Sequence, residues 1–394
     1  MPGSRNPVVI TLQLYLFSLL SMAMIGAIVP FIPAISHDFG VAPSRVGLGI
    51  ALFSVPSALF ATLGGALIDR LGARLIILAA GVATVIGDLV ASRAGGVGMF
   101  YVAMLAGGMG MAGIAVGAPT LMVAALQGGV RTRAMAFLST YAPTGYACGL
   151  LLAIPFTAAV AWRSALVVHA ILAALITALG VALLPSPPVV RRMEGAVRAP
   201  HWIGVFRHWP ALRLGLAVGL PNGIAYGTSL VAPSYLARLH DVSLAASSGA
   251  VAGAKVVALL LGGIVTGHLL ARHQAAWRMF ALMALLGMIA QITFFLPQSS
   301  FLVSVAALIV WLFAFGGMSG VAMTMLPSVV ATPSQRGATA GLLNQFISVV
   351  SFAAPSTYFA VSGWSEYAFL AVAGLCISAA VIPGGRLTPA RVAA

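Results

Sequence analysis

Gly64-Gly65-Ala66-Leu67-Ile68-Asp69-Arg70-Leu71-Gly72-Ala73-Arg74 interrupts two long apolar runs, and Gly262-Gly263-Ile264-Val265-Thr266-Gly267-His268-Leu269-Leu270-Ala271-Arg272 interrupts a second pair in the same way. Farther along, Gly110-Met111-Ala112-Gly113-Ile114-Ala115 is echoed by Gly317-Met318-Ser319-Gly320-Val321-Ala322, each followed by Pro and then a basic loop. The chain therefore reads as a duplicated unit. Working outward, polar, Pro and Gly breaks leave twelve apolar segments, at about 8–35, 45–68, 74–92, 98–127, 133–158, 162–184, 211–236, 246–270, 276–297, 300–327, 337–361 and 365–384. About 20 apolar residues suffice for a helix to cross a bilayer. The expected fold is an all-α polytopic membrane protein of 12 transmembrane helices in two pseudo-symmetric six-helix bundles, 1–184 and 211–394, joined by a linker, 185–210. Duplicated halves of this kind put a central site at their interface near the bilayer midplane and work by alternating access.

Composition agrees. Of 394 residues, 61% are hydrophobic and 7% are charged, against about 25% charged in a soluble domain. Long continuous runs exclude a β-barrel, which needs alternating strands of about ten residues. The run from Val8 to about Ile35 is too long for a signal-peptide core and lacks a small-residue cleavage site, so it reads as an uncleaved first helix. Cys148 and Cys376 have no Cys or His at ligand spacing, so neither a disulfide framework nor a metal site is expected.

The net charge of +14 would suggest a nucleic-acid binder in a soluble chain. Here it sorts by side. With the N-terminus in the cytoplasm, that face holds Arg5, Arg70, Arg74, Arg131, Arg133, Arg191, Arg192, Arg198, Arg207, Arg213, Arg272, Arg278, Arg336, Arg386 and Arg391. The opposite face holds Arg45, Arg93, Arg163 and Arg238. This asymmetry satisfies the positive-inside rule and puts both termini in the cytoplasm; the expected location is a bacterial inner membrane. No nucleic-acid partner is implied. The basic, Pro-rich linker reads as a solvated connector that obeys the orientation rule, with an anionic-lipid site as the alternative.

At the first break, Gly65, Leu67, Asp69, Arg70, Gly72 and Arg74 fit Gly-x-Leu-x-Asp-Arg-x-Gly-x-basic. In this motif, the twelve spans, the long middle loop and the half-repeat, the chain resembles the major facilitator superfamily (MFS) of secondary transporters. The resemblance implies that Asp69 belongs to a cytoplasmic latch between the halves. Arg133 is a candidate ion-pair partner for it, and a helix N-terminus following Arg336 would favour its charge. Gly267 and His268 replace the Asp-Arg pair in the second half, so one latch of this kind is expected. The resemblance also implies a monomer, with the first, fourth, seventh and tenth spans lining a cavity and the second, fifth, eighth and eleventh flanking it.

Against that assignment the rare polar residues can be sorted. Lys255 is the only Lys in the chain and lies in the middle of the eighth span, opposite Ser57 of the second in the repeat. An ammonium there costs several kcal/mol unless it meets water, a partner or a ligand, and it is expected to face the cavity and attract an anionic group. Three helical stripes could orient a substrate or join helices: Asn222, Tyr226 and Ser229 on span seven, Tyr141, Thr144 and Cys148 on span five, and Asn344, Ser348 and Ser351 on span eleven. Pro221-Asn222-Gly223 invites a break in the helix near the cavity. The Gly-rich stretches 107–117 and 316–320 read as close helix contacts, because no Lys-Ser or Lys-Thr follows as a phosphate loop would need.

The acids are Asp38, Asp69, Asp88, Glu194, Asp241 and Glu366. None falls in the middle of a cavity-lining or flanking span. That argues against a cation exporter and weakens coupling through a protein carboxylate. Asp88 is placed near the outer end of span three beside Arg93, and His169 on span six reads as a neutral, packed imidazole without an acidic partner nearby. The expectation is a non-enzymatic transporter, without cofactor, of a small organic anion. It would work by uniport, anion exchange, or symport with a proton. An exporter of neutral or amphiphilic compounds is the alternative, and a non-transporting receptor or membrane enzyme a remote one.

Overall fold

The computed structural model describes residues 6–59, 67–68, 71–127, 130, 134, 137–138, 140–185, 207–271, 276–329, 336–361 and 363–383. Among these the secondary structure is helical, without strands. Helix α1 (Pro7–Ile28) runs through a 3-10 turn (Val29–Phe31) into a short helix, Ile32–Phe39. Then follow α2 (Pro43–Leu52), α3 (Ala73–Ser92), α4 (Val97–Ala125), α5 (Tyr141–Thr157) and α6 (Trp162–Leu183). The second half repeats the order with α7 (Trp209–His240), α8 (Leu244–Ala271), α9 (Ala276–Phe295), α10 (Phe301–Met325), α11 (Arg336–Ala360) and α12 (Trp364–Val381). Each coincides with one apolar segment of the sequence. By length and composition, 8 of the described helices can cross a membrane. The described parts of α2 and α5 run to 10 and 17 residues.

The chain divides into two compact units, Met1–Met193 with Val231–Gly253, and Glu194–Leu230 with Ala254–Ala394. In the first, α1 packs on α5 and α6, and α3 lies against α4 and α6. In the second, α9 packs on α10 and α12. Large apolar side chains such as Leu75, Ile171, Leu175 and Phe369 remain exposed on helices that also carry buried faces, as helices facing lipid require.

Helix association in hydrocarbon rests on close packing and interhelical hydrogen bonds, and both are present. On the α1–α5 seam, Gly149 lies on the Ala23 carbonyl and the Gly26 backbone, so a β-carbon at Gly149 would collide with backbone on the facing helix. The stretch Gly107–Gly117 behaves as the sequence suggests: Gly107, Gly108 and Gly110 abut Met24, the Phe53 backbone and the Ala80 carbonyl. Gln13 of α1 donates from Nε2 to the Ile176 carbonyl of α6 at 2.7 Å.

Arginine closes the last helix of each half. Arg74, in the first turn of α3, donates to the Val181 carbonyl at the end of α6. Arg213, in the first turns of α7, donates to the carbonyls of Val381 (2.9 Å) and Ile382 (3.1 Å) at the end of α12. A cation at a helix C-terminus satisfies carbonyls that lack intrahelical partners and complements the dipole.

The expected break at Pro221 does not occur: α7 is helical from Trp209 to His240. Proline has no N–H to offer the carbonyl four residues earlier, which is that of Ala217. Ser378 of α12 supplies the missing donor, its Oγ lying 2.5 Å from that oxygen. Both groups are buried, so the repair is internal. Replacing Ser378 with alanine orphans the carbonyl, and a loss of about 1–3 kcal/mol is expected. A lowered unfolding midpoint of the purified protein would show it, and an unchanged midpoint would refute it.

Candidate substrate site

The rare polar side chains of the second unit come together at three points. Lys255, buried on α8, donates from Nζ to the Oγ of Ser229 on α7 at 2.8 Å. Ser229 in turn donates to the Ala225 carbonyl one turn back at 2.5 Å. Its hydroxyl proton is thus committed to the backbone while its lone pairs face the ammonium. Two turns away on the same stripe, Asn222 Nδ2 donates to Ser351 Oγ of α11 at 3.0 Å. Tyr226 lies between these points, half-buried, and among the described residues its hydroxyl has no hydrogen-bond partner. The three sequence stripes were read separately, yet span seven bonds to span eight at one end and to span eleven at the other.

The third point was not legible as a stripe. Thr228 and Gln291 of α9 exchange hydrogen bonds, Thr228 Oγ1 to Gln291 Oε1 at 3.3 Å and Gln291 Nε2 to Thr228 Oγ1 at 3.1 Å. Both are buried. The signal available in the sequence was the lone amide of Gln291 inside an apolar run, which needs a partner at membrane depth. Nearby Tyr358 packs against Gly227 and lies 5.8 Å from the Tyr367 ring, which stacks on Phe295 at 4.7 Å. Ser348 is half-buried on α11. Asn344 belongs to the same helix, but its side chain lies outside the described residues.

In the first unit the span-five stripe is placed differently. Tyr141 packs against the apolar cluster that includes Leu14, Tyr15 and Leu138. Thr144 donates to the Thr140 carbonyl of its own chain at 2.9 Å. Tyr15 meets the Thr140 hydroxyl at 3.1 Å and stacks on Phe137 at 4.1 Å. Of the latch residues, Gly65, Asp69, Arg70 and Arg133 lie outside the described residues. Gly72 has φ of 85°, a conformation L side chains rarely adopt, and its N–H bonds to the Ile68 carbonyl at 2.8 Å. The chain therefore turns into α3 at a position that calls for glycine.

One expectation about an ionisable residue is overturned. His169 has an acidic partner: its Nδ1 lies 2.7 Å from Asp88 Oδ2, and both side chains are fully buried. Asp88, near the C-terminal end of α3, turns inward to α6. Sequence separation hid the pair, although the tendency of intramembrane ionisable groups to pair with one another could have suggested it. Toward the same end of the unit, Asp38 Oδ2 accepts from Trp162 Nε1 at 2.9 Å and from Arg163 Nη1 at 2.7 Å. The Arg163 guanidinium also reaches the Ala94 carbonyl at 3.1 Å and lies 4.1 Å over the Trp162 ring.

Comparison with known proteins gives these arrangements a frame. The sequence profile of the Major Facilitator Superfamily matches residues 14–355. A search of curated protein sequences finds no match. Among solved structures, the chain superposes on the inward-open xylose transporter XylE from E. coli with a TM-score of 0.76, 16% identity and coverage of 97% of this chain and 98% of that one. The nucleoside transporter NupG superposes with a TM-score of 0.75, 14% identity and coverage of 95% and 100%. A bacterial homologue of the human lysosomal transporter Spinster gives 0.72, 18% identity and coverage of 96% and 95%. At these identities the likeness is one of fold.

Proposed function

The chain belongs to the major facilitator superfamily, and on that premise we propose that it carries a small organic anion across the membrane by alternating access, with Lys255 as the anion-attracting group. It is an integral membrane protein and a secondary transporter of small solutes. In our reading the moving bodies are the halves 1–184 and 211–394, and the protein works as a monomer with both termini in the cytoplasm of a bacterial inner membrane.

The observation that supports an anion is the placement of Lys255. A buried ammonium in the middle of a helix, resting on the Ser229 hydroxyl, is expensive in hydrocarbon, and such residues mark substrate or ion pathways. Asn222, Tyr226 and Ser348 supply neutral groups that can orient the remainder of a solute, and Tyr141, Thr144 and Asn344 are assigned to the same task. Gly65, Asp69, Arg70, Gly72, Arg74 and Arg133 form the latch in this reading. Transport proceeds by uniport, by exchange of one anion for another, or by symport with a proton.

Thermal shift of the purified protein tests the proposal, since a ligand that binds only the folded state stabilises it by about 2.7 kcal/mol at a hundredfold excess over Kd. Within a panel of organic acids, matched neutral compounds and lipophilic cations, some acids are expected to raise the midpoint of the wild type and not that of Lys255→Ala. Stabilisation by cations or neutral compounds alone would overturn the reading.

A further inference from the structure

The buried Asp88–His169 pair lies outside the substrate residues, and its geometry fixes how many protons it holds. His169 Nε2 is 3.1 Å from the Leu20 carbonyl of α1. A carbonyl oxygen only accepts, so Nε2 carries a hydrogen. Nδ1 is 2.7 Å from Asp88 Oδ2. With Nε2 protonated, a neutral imidazole presents a lone pair at Nδ1, and a carboxylate presents another at Oδ2. A close contact between two lone pairs is repulsive, so a second hydrogen must lie between the two atoms. Whether it resides on oxygen or nitrogen, the pair then has no net charge.

We propose that Asp88 and His169 form a proton-binding site inside the first unit, holding one exchangeable proton between Oδ2 and Nδ1, and that its occupancy holds α1, α3 and α6 together. The inference stands apart from the reading of Lys255 and survives if that reading fails. Loaded, the pair joins three helices through two hydrogen bonds. Unloaded, it leaves a net negative charge where both side chains are fully buried, and the carboxylate and imidazole repel each other. Asp88 Oδ1 has no hydrogen-bond partner, which further penalises the ionised form.

A cavity of about 10 Å³ lies next to the site, lined in part by Leu20, Ser21, Gly81, Thr84, Ala173 and Thr177. Thr84 and Ala173 are one helical turn from Asp88 and His169 respectively, and Leu20 provides the carbonyl that His169 uses. The hydroxyls of Ser21, Thr84 and Thr177 donate to backbone carbonyls of their own helices. Their oxygens therefore remain as acceptors, and the space is about that of one water. This is where a proton could enter or leave when the helices part.

The other ionisable groups on the surrounding helices are Tyr15 on α1, Arg74 on α3, Tyr101 on α4, Tyr141, Tyr146 and Cys148 on α5, and Arg163 on α6. Neither Asp88 nor His169 has a further partner among the described residues. The pair thus titrates as a unit of its own.

The probe is the proton itself. In full-length protein labelled with 15N-histidine, the His169 resonances are identified by their loss in His169→Gln or their displacement in Asp88→Asn. Infrared spectroscopy of the same samples reports a protonated carboxyl. Between about pH 5 and pH 8, where an unperturbed imidazole loses its proton, the wild type should show one of two patterns throughout. Either a carboxylic acid band appears with a hydrogen-bonded, unprotonated Nδ1, or His169 stays an imidazolium. Titration of His169 as an isolated imidazole, or an Nδ1–H tautomer with bare Nε2, overturns the site.

A second measurement tests the coupling to helix packing. Asp88→Asn keeps a donor toward Nδ1 but removes the exchangeable proton. Hydrogen exchange in α3 and α6, corrected for the intrinsic pH dependence, should accelerate in the wild type once the pair is unloaded at alkaline pH, and not in Asp88→Asn. Equal behaviour of the two proteins refutes the role in packing.

Discussion

Replacing Gly149 with valine is expected to cost at least about 3 kcal/mol, the upper part of the usual range for overpacking, and to separate α1 from α5. The new β-carbon would fall on the Ala23 carbonyl, on the Ala27 amide and on the α-carbon of Gly26. These are backbone atoms of one helix, so no rotamer change relieves the contact and α1 as a whole must retreat. Gly145, one turn earlier, lies in the same way on the Leu19 carbonyl. A displaced seam would therefore lose contact over more than one turn. Greatly reduced yield of folded protein, or a large fall in the unfolding midpoint, is the expected result. Gly95, with open space around it, is the control: Gly95→Ala should leave the midpoint within about 0.5 kcal/mol of the wild type. A Gly149→Val protein as stable as the wild type would show that the two helices do not meet backbone to backbone.

Lys255→Met is expected to raise stability while abolishing transport of the anionic substrate. Methionine has similar length and no charge, and replacing buried charge by apolar groups of similar volume is often neutral or stabilising by about 1–4 kcal/mol. The Ser229 hydroxyl keeps its bond to the Ala225 carbonyl, so the substitution leaves no donor stranded there. If the ammonium serves only to join α7 and α8, its loss lowers the unfolding midpoint and affects transport in proportion. If it attracts substrate, stability and flux move in opposite directions. Flux of the acid picked out by thermal shift, measured in proteoliposomes at saturating and limiting concentration, separates the two. At limiting concentration a fall of tenfold or more is expected, equivalent to at least about 1.4 kcal/mol of lost interaction. Normal flux in the Met variant would remove Lys255 from the site.

Several elements were legible before any coordinates. Each of the twelve helices falls on an apolar run, because a span must be apolar over its full length whatever it packs against. Gly72 stood out in the sequence only as a position of the motif, and its φ of 85° emerged from the structure. Lys255 announced itself by charge alone. Pro221 misled because its effect on a helix depends on whether another chain segment supplies the missing donor. Ser378, more than 150 residues downstream, does so, and nothing near Pro221 signals it. His169 misled for the same reason: it was judged by its sequence neighbours, and the neighbour that matters, Asp88, is 81 residues away.

The sequence by itself determined the class of fold, the number of spans and the residues whose chemistry is costly in a membrane, because hydrophobic length and charge are properties of local composition. Which costly groups satisfy one another was decided only by tertiary structure. Lys255 on Ser229, Asn222 on Ser351, Thr228 on Gln291 and Asp88 on His169 are pairings across helices, set by rotation and depth of one helix against the next. A helical stripe identifies a face. Only packing decides whether that face meets a partner, a neighbouring backbone or a proton.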